Sequence, residues 1–350
     1  MYKKSAILTF YAETPIHMGA GQSVSYVDLP VQRERHTSFP CLWSSGIKGV
    51  IRDLALRVWN DKDKVETIFG PEDGSSDFAS CISITDAEIL LYPVRSLKGV
   101  FAWITSPFVL KRFKEDLKAV GIEFKHNNNE IQIPDILDDK KIFISQDSEL
   151  KINATEVALE EFVFEVVKEE VKNLPEFLKQ FLPNNSLTNS LDKHIAVVSD
   201  NVFKDFVNYA VEIRTRIRID QTTGTVKRGA LFSEELIPSE SVFYSLMFVT
   251  DPYFGIEKEL YTELRSKKEK NENPNWEEIK NKIKGDENTK NRVLERLKKA
   301  WNGKYFEEDE ILYSLDFLNN SLLQLGGDET IGMGYVRVKF YSENQKGGKS

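Results

Sequence analysis

The apolar positions along the chain change period repeatedly, and each change marks an element. Residues 6–12, 81–92, 100–105, 162–167, 195–198 and 242–249 are short runs rich in β-branched and aromatic side chains, the pattern of buried or half-buried strands. Helical patterns lie between them. Ile47, Val50, Ile51, Leu54 and Val58 recur at the spacing of one buried helix face, with Ser44 or Ser45 as the N-cap. Pro107 opens a second helix that runs to Val120. Strands interleaved with helices predict an α+β fold, of which the ferredoxin-like or RRM-like sheet is the commonest small version.

Two stretches read as additions to that core, within a single domain spanning 1–350. The string IRTRIRIDQTTGTVKRGALF alternates basic and apolar residues around QTTG, so residues 213–237 are expected to form a projecting β-hairpin with its basic positions outward. From 255 to 310 the chain turns rich in Lys, Glu and Asn, punctuated by Pro274 and Gly285, with helical patterns at 276–283 and 293–300. This predicts a solvated helical insertion.

With 41% hydrophobic and 29% charged residues, the chain can bury a core and is not disordered. Its net charge of −8 excludes a freestanding basic nucleic-acid domain. Locally the balance reverses: Arg214, Arg216, Arg218, Lys227 and Arg228 face one acid, Asp220, while acidity concentrates elsewhere, as in 156–170. Cys41 and Cys81 lack a CxxC partner or a His-rich neighbourhood, which excludes a zinc knuckle and gives no reason to invoke a disulfide framework; both read as core residues. No apolar run approaches the ~20 residues of a membrane span. A cytoplasmic protein without a membrane partner is expected.

The chemistry concentrates near the two ends. TPIHMGAGQ, VDLPVQRERHTSFP and SSGIKGVIRD set glycines and basic residues around one isolated carboxylate, Asp28, and GGDETIGMGY repeats the glycine density at 326–335. Glycine lets a backbone approach phosphate closely, so the pattern points to RNA. The helix near Gly46 offers unpaired amides and a positive dipole end, with Lys48 and Arg52 on one face beside it. Gly49 inside that helix costs ~1 kcal/mol relative to alanine, which close approach of a ligand would explain. An ordinary amphipathic helix with solvated charges fits the spacing equally well. Asp28 before Leu-Pro is a common turn arrangement, but its neighbours Arg33, Arg35, His17 and His36 are what RNA cleavage needs: a held phosphodiester beside a group that takes or positions a proton.

These strings, with IFGP, DAEILLYPVRSLKGVFAWITSPFVLKRF and LGGDETIGMGY, resemble the RAMP superfamily. Within it they resemble the backbone subunit, fourth of the Cmr series, of type III-B CRISPR effector complexes. The resemblance implies an RRM-like palm with a thumb hairpin, stacked as copies of itself along a CRISPR guide RNA beside other Cmr-type subunits. It implies an endoribonuclease that cuts paired target single-stranded RNA at regular intervals, with Asp28 as the required residue. Asp28 would act either as a base for the 2′-hydroxyl of the target or as a ligand for a divalent cation, Mg²⁺ or another, as the cofactor. His17 and Glu234 or Glu235 would be accessory. The RNA-binding set would be Lys48, Arg52, Gly46, Gly49, Arg33, Arg35, Arg216, Arg218 and the C-terminal loop glycines Gly326, Gly327, Gly332 and Gly334. The chain departs from its relatives at Gly46, where serine is frequent, at Leu236, where some carry tyrosine, and at Met333, where a basic residue is also seen. Two rival readings remain: a guide-binding subunit without catalysis, and a metal-independent guide-processing ribonuclease using His17 or His36.

Overall fold

The computed structural model describes residues 2–22, 27–72, 79–135, 138–167 and 171–342. The chain divides into two compact units, one built from residues 6–50, 85–246 and the chain from 318 onward, the other from the first five residues, 51–84 and 247–317.

The larger unit carries a mixed sheet. Its strand order is Leu322–Gln324, Tyr335–Tyr341, Lys4–Ala12, Val242–Val249, Ala87–Arg95, Phe101–Thr105, Ile195–Val197, Lys141–Ile144, Phe162–Val166 and Glu156–Leu159. Both ends of the chain enter this sheet as antiparallel neighbours, with Phe10 opposite Val338. The Val242–Val249 strand is buried at all but one position because it is covered on both faces, which explains its unbroken apolar run. Ile195–Val197 lies parallel to Phe101–Thr105, and the connection between them includes the helix Pro107–Ala119. That helix begins as its sequence predicts: Ser106 Oγ accepts from Val109 N, and Pro107 occupies the first turn. Its Val109, Leu110, Phe113 and Leu117 are buried, and the Phe113 ring meets Tyr244 edge-on at 4.7 Å.

Two expectations need correction. The run 81–92 is not one strand but two, Ile82–Ile84 and Ala87–Arg95. It breaks because Thr85 bonds Leu246 through both its amide and its hydroxyl, while Asp86 turns away to accept from Ser44 N at 2.7 Å. The helix Ser44–Trp59 therefore has no serine cap; Trp43 O takes its first amides and Asp86 supplies the carboxylate. Its buried stripe is Ile47, Ile51 and Ala55, and Val58 is 52% exposed instead of facing inward.

The smaller unit is mainly helical: Lys62–Phe69, Lys258–Glu269, Trp276–Lys282, Glu287–Gly303 and Glu308–Ser314. The helix expected at 293 starts six residues earlier, because Asp286 caps it by accepting from Thr289 N. Leu264, Leu297, Phe306 and Ile311 form its core, and Arg265 grips Glu308 with both terminal nitrogens at 2.7 and 3.0 Å. The lysine-rich stretch is thus tied by ion pairs to a packed interior. Cys41 and Cys81 are buried free thiols, as expected. Among the described residues no helix is long and apolar enough to cross a membrane.

Candidate active site

The hairpin expected at 213–237 is present as Glu212–Ile219 paired antiparallel with Val226–Leu236. Asp220 shapes its turn, accepting from the amides of Thr222 and Thr223. At its base the hairpin gathers three distant segments. Leu29 N donates to Ser233 O and Glu235 N to Leu29 O, so the stretch after residue 27 lies alongside as a short parallel rung. Ile16 and Ile237 exchange both backbone bonds at 2.9 Å, and Gln32 N donates to Met18 O. The late glycine segment closes the group, with Gly327 N on His17 O and Gly334 N on Pro15 O.

Asp28 stands at this junction with its side chain exposed. Its Oδ2 accepts from Ser233 N at 2.7 Å and from Ser233 Oγ at 2.8 Å, and Ser233 Oγ accepts from Asp28 N at 3.0 Å. The backbone bond to Ser233, then the hydroxyl bond, hold the carboxyl below the usual carboxylate range. It is an anion throughout the neutral range and only a weak proton acceptor.

Beneath it lies a buried charge network. Glu234, 2% exposed, accepts from Arg216 Nε at 2.5 Å, and its other oxygen lies 3.5 Å from His17 Nδ1. Burial first and Asp328 second push the Glu234 carboxyl up, against Arg216 and His17. Arg216 also donates to Asp328 Oδ2 at 3.0 Å, joining the hairpin to the late glycine segment. His17 Nδ1 sits 2.8 Å from the Glu235 carbonyl, which only accepts, so that nitrogen carries a proton. Gly19 makes room for the ring, since a Cβ there would lie 2.9 Å from Nε2. Glu235 is buried as well; its carboxylate takes Val31 N and the Arg33 guanidinium at 2.6 Å.

The structure therefore joins Asp28, His17, Glu234 and Arg216, and assigns several other expected site residues to internal work. Arg33 spends its donors on Glu235, Ser38 O, Val207 O and Asn208, so it braces the Asp28 segment. Arg52 caps the carbonyl of Gly70, at the end of the Lys62–Phe69 helix. The expected anion at the N-terminus of the helix at Ser44 is the chain's own Asp86. Gly46 accommodates Met18, whose Cε would lie 2.5 Å from a Cβ. Gly326 and Gly334 have positive φ and pass within 2.2 Å and 2.1 Å, measured from a built Cβ, of His17 O and Leu325 O, so both are required by packing; Gly327 meets only ordinary contact. Gly49 and Gly332 face open space, Lys48 is half-buried beside Gly49, and Arg35 and Arg218 are exposed. The side chain of Arg228 lies outside the described residues. Sequence reasoning missed Ser233 and Asp328. Asp328 was findable, as an acid inside a glycine cluster opposite a basic hairpin; nothing in the sequence marks Ser233.

Residues 9–337 match the profile of the RAMP superfamily. The chain belongs to that superfamily. It is 36% identical over 349 residues to the CRISPR system Cmr endoribonuclease Cmr4 of Pyrococcus furiosus, spanning 99% of this chain and 98% of that protein. The crystal structure of oligomeric Cmr4 from Pyrococcus furiosus superposes with a TM-score of 0.61 at 30% identity, over 97% of this chain and 98% of that one. A type III-B Cmr-beta structure bound to cognate target RNA matches in fold, with a TM-score of 0.64 at 20% identity and coverage of 97% and 98%. This RAMP-superfamily fold is the α+β palm with thumb hairpin expected from the sequence.

Proposed function

We propose that this chain is an RNA-guided endoribonuclease subunit of a Cmr-type CRISPR complex. It binds the backbone of a guide RNA, assembles along it with copies of itself and other Cmr-type subunits, and cuts the paired target RNA beside each Asp28. The observation that carries this reading is the ionised, exposed Asp28 carboxylate clasped at the base of a projecting hairpin. The full-length relationship to an endoribonuclease of the same superfamily supports it.

The hairpin suits a wedge. Ile217 and Leu231 face each other across the ladder and are 52% and 65% exposed, and Ile219 and Val226 continue the apolar surface toward the turn. Apolar side chains between bases unstack and bend a paired strand at a cost of a few kcal/mol. A target nucleotide displaced this way can swing its 2′-oxygen into line with the adjacent phosphorus. Attack forms the 2′-O–P bond as the 2′-hydroxyl gives its proton to water, and breaks the P–O5′ bond as the leaving 5′-oxygen takes a proton from water, leaving a cyclic 2′,3′-phosphate and a 5′-hydroxyl. Alignment supplies most of the acceleration. The low basicity of Asp28 suits it to orienting the sugar and holding positive charge more than to strong proton abstraction.

Among the described residues no group of three or more His, Cys, Asp or Glu can hold a metal ion, so a resident all-protein site does not fit. A single carboxylate does fit a largely hydrated Mg²⁺ whose other ligands are RNA phosphates. Such a cation, held by Asp28, would neutralise phosphate charge. His17 points its Nδ1 proton at a protein carbonyl and is 9% exposed, which favours a positioning role over acid–base chemistry in guide processing.

The test is a complex reconstituted with guide RNA and a labelled target. With Asp28→Asn, target binding is expected to persist and cutting to fall at least a hundredfold; chelation should stop the wild-type reaction. Cutting by the Asn variant at the wild-type rate would sink the proposal.

A further inference from the structure

We infer that Ser233 is the positioning residue that fixes the Asp28 carboxylate for cleavage, an inference that rests on the reading of Asp28 above. The contact is reciprocal. Ser233 gives its one hydroxyl proton and its backbone amide to Asp28 Oδ2, and its oxygen accepts from Asp28 N. An exposed aspartate has several staggered orientations of similar energy, and no packing selects among them. Two donors converging on one oxygen make that selection, holding Oδ2 toward the protein and turning Oδ1 outward.

Ser233 is itself held in a ladder. It lies opposite Thr215 in the hairpin, and its carbonyl receives Leu29 N on the other side. The clasp thus connects the reactive carboxylate to the strand that carries the wedge, so the two keep a fixed relation. A nucleotide displaced by the hairpin meets Asp28 at a set position, which is what a reaction governed by alignment requires. Neighbouring Glu234 and Glu235 point their carboxylates into buried contacts with Arg216 and Arg33, so of these three acids Asp28 is the one presented outward.

The experiment uses the chain assembled with guide RNA, measuring the single-turnover cutting rate and target affinity separately for Ser233→Ala, Ser233→Thr and Asp28→Asn. Alanine keeps the backbone donor and removes the hydroxyl. Its cutting rate is expected to fall about tenfold, below the ~100-fold that a 1 Å misplacement costs, while guide and target affinities stay within about twofold. Threonine retains the hydroxyl and restores the rate. An alanine variant with the wild-type rate overturns the inference, as does equal loss in threonine or a loss of RNA affinity that accounts for the slower cutting. Those outcomes leave the larger reading intact provided Asp28→Asn is inactive; an active Asn variant removes both.

Discussion

A Cβ on Gly326 would fall 2.2 Å from the carbonyl oxygen of His17, and Gly326 has φ of +88°. The late glycine segment is therefore pressed against the segment preceding Asp28, and it brings Asp328 to Arg216. Gly326→Ala is expected to cost at least 3 kcal/mol, from left-handed strain plus a backbone collision. Gly332 shares the positive φ but faces open space, so Gly332→Ala should cost only about 1 kcal/mol. Thermal unfolding of both variants checks the contrast; equal shifts would show that the close approach to His17 contributes nothing.

Removing Arg216 strands Glu234, which is 2% exposed, with the His17 ring nitrogen 3.5 Å away as its neighbour. Arg216→Met is expected to destabilise the fold by about 3 kcal/mol near pH 8, the usual size for breaking a buried pair from one side. Adding Glu234→Gln should recover part of that loss. A double-mutant cycle by denaturant unfolding measures the coupling, and simple additivity of the two substitutions would contradict the network.

Much of this arrangement was legible in the sequence, and the misses share a cause. The Val242–Val249 strand and the hairpin turn follow from local pattern, because an unbroken apolar run and turn residues act within a few positions. Asp28 was singled out by its basic and histidine neighbours and by family resemblance, since one carboxylate before Leu-Pro has no signature of its own. Arg33 and Arg52 carry internal contacts that no local pattern shows, because a guanidinium looks the same in sequence whether it faces RNA or a partner within the chain; Glu235 lies 202 positions from Arg33. The glycines were read as phosphate cradles, yet Gly326 and Gly334 serve the chain's own close contacts. Ser233 could not be found because its role depends on a partner 205 positions away.

Tyr244 makes one hydroxyl serve two carboxylates, Glu88 Oε2 at 2.8 Å and Asp116 Oδ2 at 2.7 Å. One phenolic proton cannot satisfy both. Burial is the largest cause raising each carboxyl, with Arg112 pulling both back down and Glu34 and Glu115 adding like charge nearby. A carboxyl raised in the folded state favours folding at low pH and loses that contribution as pH climbs through its folded value. Stability should therefore decline from the ordinary carboxylate range upward, and Asp116→Asn should flatten the decline and raise stability at pH 8. Partial exposure of the two carboxyls limits the gain to below about 1 kcal/mol. Melting curves at pH 5 and pH 8 decide it; an Asn variant with the wild-type pH slope would exclude the shared proton.

Lys48 and Arg52 sit four residues apart on the same helix, and the structure predicts opposite consequences for losing them. Arg52 donates to Gly70 O, so Arg52→Ala should lower stability by about 1 kcal/mol and leave guide binding largely unchanged. Lys48 lies beside Gly49, where among the described residues no atom beyond the helix's own neighbouring turn comes within 4 Å of a Cβ, so a nucleic-acid backbone has room to approach. Lys48→Ala should weaken guide binding alike for every guide sequence, because a phosphate carries no base identity. The slope of log affinity against log salt should fall by about 0.7, the value for one contact to a single strand. A salt titration of both variants with two unrelated guides separates the roles. Guide-dependent loss in Lys48→Ala, or a reduced salt slope in Arg52→Ala, would reverse the assignment.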